Sequence, residues 1–143
     1  ATDPLAEGPN TWHARLAHAE PPSASAMAMS QRARDVWHSL HAFLTAEVLP
    51  HEREILTHQY TSPKRWEEDH PAIPRLKSRA RELGLWNLFL PPHSDPEGLG
   101  AGLSNTDYAP LCELMGQSLI APALFNCQAP DTGNAEVLSL YGT

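Results

Sequence analysis

Lysine is nearly missing from this 143-residue chain. Only Lys64 and Lys77 are present, against eight arginines, and Asp+Glu outnumber Lys+Arg by 17 to 10 for a formal net charge of -7. Nucleic-acid binders neutralise phosphates with a clustered basic surface, and no basic cluster is visible here. Cysteine is also scarce. Cys112 and Cys127 allow one bridge at most, which is no disulfide framework, so a reducing compartment is the expectation. Long apolar runs are absent, and nothing approaches the ~20 residues that a spanning helix needs. The chain starts at Ala1 without a basic segment followed by an apolar one, the mark of a secretory leader. Asp3, Glu7 and Glu20 disagree with an acid-poor transit peptide. No hairpin dipeptide stands between alternating strands, and no internal repeat is seen.

Proline, by contrast, is abundant. Fourteen prolines, about twice the average frequency of ~5%, predict short helices divided by rigid turns. Residues 1–29 contain eight Ala and four Pro without helical or strand periodicity. They read as a linker or flexible arm that contributes nothing to a core, with at most a helical turn at Trp12 to His18. From residue 30 the pattern becomes helical. Ser30 is placed as an N-cap, and Ala33, Val36, Leu40, Phe43, Leu44 and Val48 form one apolar face. Pro50 should kink or end that helix; His51 to Tyr60 can resume it, and Ser62–Pro63 stops it. Ile73, Leu76, Ala80 and Leu83 share the next face, closed by Gly84. Leu85 to Leu90 reads as an apolar extended run, and His93 to Leu103 as a loop.

A third helix follows, capped by Ser104, Asn105 or, because Pro110 is awkward beyond a first turn, Asp107. Its face is Tyr108, Leu111, Cys112 and Met115, and Gly116 ends it. Ala121–Gln128 and Thr132–Tyr141 complete the set. Ala129–Pro130–Asp131 lies between them, Asp131 or Thr132 caps the last helix, and Gly142 closes it. The predicted fold class is all-α, a short helical bundle with short connections.

The local chemistry is sparse. His38 and His41 are three apart on one helix but lack the further ligands that zinc requires, so a metal-binding helical protein is the weaker rival and no metal ligand is assigned. Cys112 and Cys127 read as small buried hydrophobes without an activating base. Gly98, Gly100 and Gly102 lack the Lys and Ser/Thr of a phosphate loop. Glu67, Glu68 and Asp69 read as a solvated surface.

The wording of two segments carries more. Arg81-Glu82-Leu83-Gly84-Leu85-Trp86-Asn87-Leu88-Phe89-Leu90-Pro91, followed by the Gly98 to Leu103 loop, resembles the end of the second helix of the acyl-CoA dehydrogenase family. Phe125-Asn126-Cys127-Gln128-Ala129-Pro130-Asp131-Thr132-Gly133-Asn134 resembles the branch that includes animal family members 10 and 11 and their bacterial relatives. Val48-Leu49-Pro50 is similar to the family's kinked first helix. Pro110, and Ala135 where relatives usually carry Met, depart from the pattern.

The resemblance covers residues 30–143 and implies the N-terminal helical domain of an FAD-dependent enzyme. Such an enzyme desaturates acyl-CoA thioesters between Cα and Cβ and hands electrons to an electron-transfer flavoprotein. A β-domain and a C-terminal bundle would supply the flavin site and the glutamate base, so neither a catalytic nor a cofactor-binding residue is assigned here. By the same resemblance Phe125, Asn126, Ala129 and Gly133 would line the acyl pocket.

The parent would be a homotetramer or homodimer, with a kinase-like domain upstream in some relatives. It would be cytoplasmic if bacterial, and mitochondrial or peroxisomal if animal. Thr143 falls where the family continues into another helix, so the chain is expected to be incomplete and inactive alone. Leu85 to Leu90 and Leu119 to Phe125 are then expected to be exposed. The competing reading is a non-catalytic helical interaction or ligand-binding module from a truncated relative.

Overall fold

The computed structural model of the chain describes residues 18–22 and 29–142. Among them every regular element is helical. Helices α1 (Gln31–Phe43) and α2 (Leu49–Thr61) are joined by a π-helical turn, Leu44–Val48. Helices α3 (Ala72–Glu82), α4 (Asn105–Met115), α5 (Ala121–Leu124) and α6 (Asp131–Tyr141) follow, with a 3-10 turn at Pro92–Ser94. The expected turn at residues 12–18 falls almost wholly outside the described residues, as does most of the 1–29 arm. Two described residues of that arm correct its reading: Met29 is buried, and Ala19 packs against the core.

Ser30 caps α1 as its residue type predicts, its Oγ accepting the Ala33 N–H at 3.1 Å. The apolar face runs through Trp37, Leu40 and Phe43 into Leu44 and Val48, all buried. Pro50 neither breaks nor sharply ends the rod. Instead the Leu49 N–H reaches five residues back to the Leu44 carbonyl. This wider turn accommodates a ring that has no N–H and would strike the carbonyl four residues behind it. Past α2 the chain returns through His70. Its Nδ1 accepts the Ala72 N–H at 3.2 Å, so the proton sits on Nε2, which faces Glu54 Oε1 at 3.2 Å.

Gly84 ends α3 as predicted. At φ 69° it donates its N–H to the Arg81 carbonyl at 3.0 Å, while Leu85 donates to Ala80 at 2.9 Å. This paired closure needs a left-handed residue at Gly84. Leu83 leaves the predicted face: it sits at the cap and is exposed. Leu85 to Leu90 is not extended either. It folds into a turn, with the Leu90 N–H on the Asn87 carbonyl at 3.0 Å, and so buries Leu85, Leu88, Phe89 and Leu90 together.

Ser104, not Asp107, caps α4: its Oγ accepts the Asp107 N–H at 3.1 Å. The Asp107 carboxylate instead accepts the Ser30 N–H at 2.8 Å and the Ser104 hydroxyl at 3.0 Å. It thereby ties the starts of α1 and α4 together. Pro110 lies within α4 and is buried. The inward face is Pro110, Leu111, Leu114 and Met115, rotated from the predicted one, which leaves Cys112 exposed. Helix α5 is only four residues long rather than eight, because Asn126 turns left-handed at φ 57°. Pro130 occupies the cap of α6 with no side-chain bond, so neither Asp131 nor Thr132 caps it.

The expected apolar patches are corrected too. Of Leu119 to Phe125, only Leu119 is exposed among the large hydrophobics; Ile120, Leu124 and Phe125 are core. Four of the exposed large hydrophobics, Val137, Leu138, Leu140 and Tyr141, lie together on α6, which buries none of its residues.

Two outcomes follow. The Ser30 N–H, and then the Ser104 hydroxyl, hold the Asp107 carboxyl below its ordinary value of 3.8, against an opposing effect of burial. A carboxylate lowered in the folded state stabilises above its unfolded pKa, and that stability is lost as pH falls through the lower folded value. Asp107→Ala should therefore cost about 1 kcal/mol at pH 7 in urea unfolding. The difference from wild type should shrink as pH falls below 3.8 and through the lower folded value. The second outcome concerns α6: replacing Val137, Leu138 and Tyr141 with Ser should abolish most binding of a hydrophobic dye to the folded chain.

Candidate functional site

The segment from Phe125 to Gly133 meets the turn at Asn87, and there the backbone adopts its rarer conformations. Asn87 (φ 56°) and Asn126 (φ 57°) are the described non-glycine residues with positive φ. Asparagine tolerates this region better than most residues because its short polar side chain bonds locally. The two carboxamides are joined, Asn126 Nδ2 donating to Asn87 Oδ1 at 2.7 Å. The Asn87 N–H donates to the Phe125 carbonyl at 3.0 Å. On its far side Asn87 Nδ2 donates to the Leu99 carbonyl at 3.4 Å.

Glycine is required at the next contact. A Cβ on Gly100 would stand 2.9 Å from the Leu90 carbonyl oxygen and 3.0 Å from that of Asn87. Asp95 closes the loop, its two oxygens accepting the N–H groups of Leu99 at 2.7 Å and Gly100 at 2.8 Å. The amides that could cradle an anion are thus taken by the chain's own carboxylate. This agrees with a loop rather than a phosphate site.

The four residues assigned by resemblance are placed differently from one another. The Phe125 ring is fully buried and meets Phe43 edge-on at 5.8 Å, a pair that adds about 1 kcal/mol beyond burial. What Phe125 gives the junction is its carbonyl. Asn126 is half-buried. Ala129 and Gly133 are exposed, and a Cβ on Gly133 would meet nothing within 4 Å. The structure brings Phe125 and Asn126 together with Asn87; Ala129 precedes α6 and Gly133 lies in its first turn.

Beside this turn Tyr108 is half-buried, and burial, followed by the neighbouring thiols, pushes its pKa upward. Burial is also the main cause that raises Cys127, against the opposing effect of Tyr108. Cys127 is thus held as a thiol, which suits packing and not nucleophilic attack, whereas Cys112 is exposed. His38 and His41 lie against Trp37, at 5.4 Å edge-on and 5.1 Å stacked. Among the described residues no cluster of three or more His, Cys, Asp or Glu is arranged for a metal. The acidic run is exposed, with Glu68 paired to Lys64 at 2.9 Å.

The junction of Asn87, Phe125 and Asn126 is itself uncharged: it offers two carboxamides and a backbone carbonyl, not a nucleophile. Sequence reasoning missed the bonding roles of Asn87 and Asp95. The available signal was Asn87 itself, one amide within an otherwise apolar run, which has to find partners once buried.

No family model matches the chain. It is 50% identical over 116 residues to acyl-CoA dehydrogenase family member 10 of Mus musculus, covering 80% of this chain and 11% of the relative. It is 42% identical over 148 aligned residues to acyl-CoA dehydrogenase family member 11 of Rattus norvegicus, covering 98% of this chain and 18% of the relative. A solved structure assigned as an acyl-CoA dehydrogenase of Mycobacterium abscessus superposes with a TM-score of 0.70 at 48% identity. That match covers 82% of this chain and 30% of the other. The chain thus spans under a third of the length of each of these proteins.

The junction makes a graded prediction. Asn126→Gly keeps the left-handed turn and loses only the carboxamide bond, at about 1 kcal/mol. Asn126→Ala loses the bond and adds left-handed strain, for a total of about 2–3 kcal/mol. Urea denaturation should rank wild type above Gly above Ala; Ala matching or exceeding Gly would refute the backbone argument.

Proposed function

We propose that this chain, which over its matched residues belongs to the acyl-CoA dehydrogenase family, is the helical N-terminal part of an FAD-dependent enzyme that desaturates acyl-CoA thioesters. Its own task is to form part of the wall that receives the acyl group. Residues 30–143 are the helical domain, and residues 1–29 are an arm that leads into it.

The observation that carries this reading is the pinned, uncharged junction of Asn87, Phe125 and Asn126, in a chain 48% identical over its matched part to a solved structure of this family. A wall for an alkyl chain has to be neutral and held still. Two carboxamides satisfied by each other and by backbone meet both conditions, because they bring no unpaired charge to an apolar ligand. Ala129 and Gly133 are exposed, and a Cβ on Gly133 would meet nothing within 4 Å.

FAD supplies the hydride acceptor in such an enzyme. The glycine-rich loop does not fit a flavin diphosphate, since Asp95 already occupies the amides of Leu99 and Gly100. No chemical step is therefore assigned to residues of this chain. The flavin site, the glutamate base and the contact with an electron-transfer flavoprotein belong to the remainder of a homodimeric or homotetrameric parent.

The test mixes the isolated chain with FAD, a panel of acyl-CoA thioesters and an electron-accepting dye. The chain alone should neither retain flavin through gel filtration nor reduce the dye. The full-length protein should do both. Sustained turnover by the chain alone would overturn the division of labour. A full-length protein that bleaches no dye with any acyl-CoA would overturn the enzyme reading.

A further inference from the structure

The start of α3 rests on one side chain. Pro71 and Pro74 carry no N–H, so across Pro71 to Pro74 only Ala72 and Ile73 have a backbone donor. No side chain at Pro71 caps the helix. Both donors end on His70. The Ile73 N–H donates to the His70 carbonyl at 2.9 Å, and the Ala72 N–H donates to His70 Nδ1 at 3.2 Å. Ala72 and Ile73 are buried, and an N–H in such a place needs its partner.

The His70 ring is itself closely held. Its side chain is 12% exposed, and Nε2 stands 3.2 Å from Glu54 Oε1. The His58 ring meets it near edge-on at 5.6 Å. Glu54 and His58 are thus the titratable groups that α2 turns toward it. On α3, Arg75 bonds to His51 Nε2 at 2.8 Å instead, and Asp69, the chain neighbour of His70, is exposed. His70, His58, Glu54 and Arg53 border a groove of about 660 Å³ beside α2, through which solvent reaches the ring.

One form of the imidazole satisfies both of its contacts. The neutral ring with its proton on Nε2 offers a lone pair to Ala72 and an N–H to Glu54. In the charged ring both nitrogens are donors, and no rotation restores an acceptor. The Ala72 N–H would then face another N–H. Attraction to Glu54 opposes this, but that carboxylate is 66% exposed, and pairs in contact with water hold weakly. We propose that His70 is a pH-sensitive latch on α3: its neutral ring closes the first turn, and a proton on Nδ1 releases the Ala72 N–H and opens that turn. The latch is closed while His70 is neutral and opens as pH falls through its titration. Histidine suits the task because its charge changes within the physiological range. The latch shares no residue with the Asn87–Asn126 junction, so it stands or falls independently of the enzymatic reading.

Proton–nitrogen NMR of the full 143-residue chain, from roughly pH 8 to pH 5, tests it. At the alkaline end the His70 ring nitrogens should report a proton on Nε2 and a bare Nδ1. On acidification the Ala72 amide should shift with the same midpoint as the His70 ring. Its protection against exchange, corrected for the intrinsic effect of pH, should fall about fivefold. The Ala80 amide, deeper in α3, should keep its protection, which separates local opening from unfolding. His70→Asn sets a carboxamide oxygen where Nδ1 stood and cannot titrate, so its Ala72 amide should stay protected throughout. His58→Gln removes the neighbouring titrating ring and should leave the Ala72 transition in place. The tautomer is read on the wild type and needs no variant to fold. A proton on Nδ1 at the alkaline end, an Ala72 amide indifferent to the titration of His70, a transition that survives in His70→Asn, or one abolished by His58→Gln would each overturn the proposal.

Discussion

A single buried carboxylate decides how the two halves of this bundle meet. Glu52 on α2 is 4% exposed. It accepts the Ser118 hydroxyl at 2.6 Å and the Leu119 N–H at 2.9 Å. A buried polar group without partners costs several kcal/mol, so Glu52 tolerates very few placements of the segment that serves it. Ser118 passes the constraint on, its Oγ accepting the Ala121 N–H at 3.2 Å. That is where α5 begins. The four residues of α5 then deliver Phe125 to the edge of Phe43. A helix this short has no stability of its own and borrows its position from Glu52 below it and the aromatic pair above.

The same logic of polar ties between distant segments recurs at the helix starts and at the loops. Asp107 joins the first turns of α1 and α4, and Asp95 folds its loop onto itself. Asn87 and Asn126 lock the loop-rich half to the end of α5. Apolar burial supplies most of the drive to collapse but has no direction. The carboxylates and carboxamides choose one arrangement among the collapsed ones, because each mismatch would leave a buried group unpaired. Fourteen prolines make such ties necessary. A chain so often denied backbone N–H groups has to secure its connections with side chains.

What could be read from sequence divides along the same line. The caps at Ser30 and Gly84, the inward stripe through Leu40 and Val48, and the all-helical class follow from local rules. Those rules operate within a turn or two of chain. The failures are of longer range. The face of α4 is rotated because Pro110 goes inward and Cys112 outward, a choice set by α1 and not by α4. The run at Leu85–Leu90 is folded because Asn87 answers to Phe125, 38 positions away. Of the candidate site, Phe125, Asn126, Ala129 and Gly133 were reached through wording alone. No periodicity separates a buried ring at Phe125 from an open backbone at Gly133.

The placement of charge completes the picture. Carboxylates that lie inside or close to the packing, Glu52, Asp95 and Asp107, are each bonded to backbone N–H groups. The Cys127 thiol and the Tyr108 phenol beside the junction are driven toward their neutral forms by burial. A surface built this way can shape and hold an apolar group without reacting with it. At this junction the paired carboxamides and the Phe43–Phe125 contact hold the segment in place.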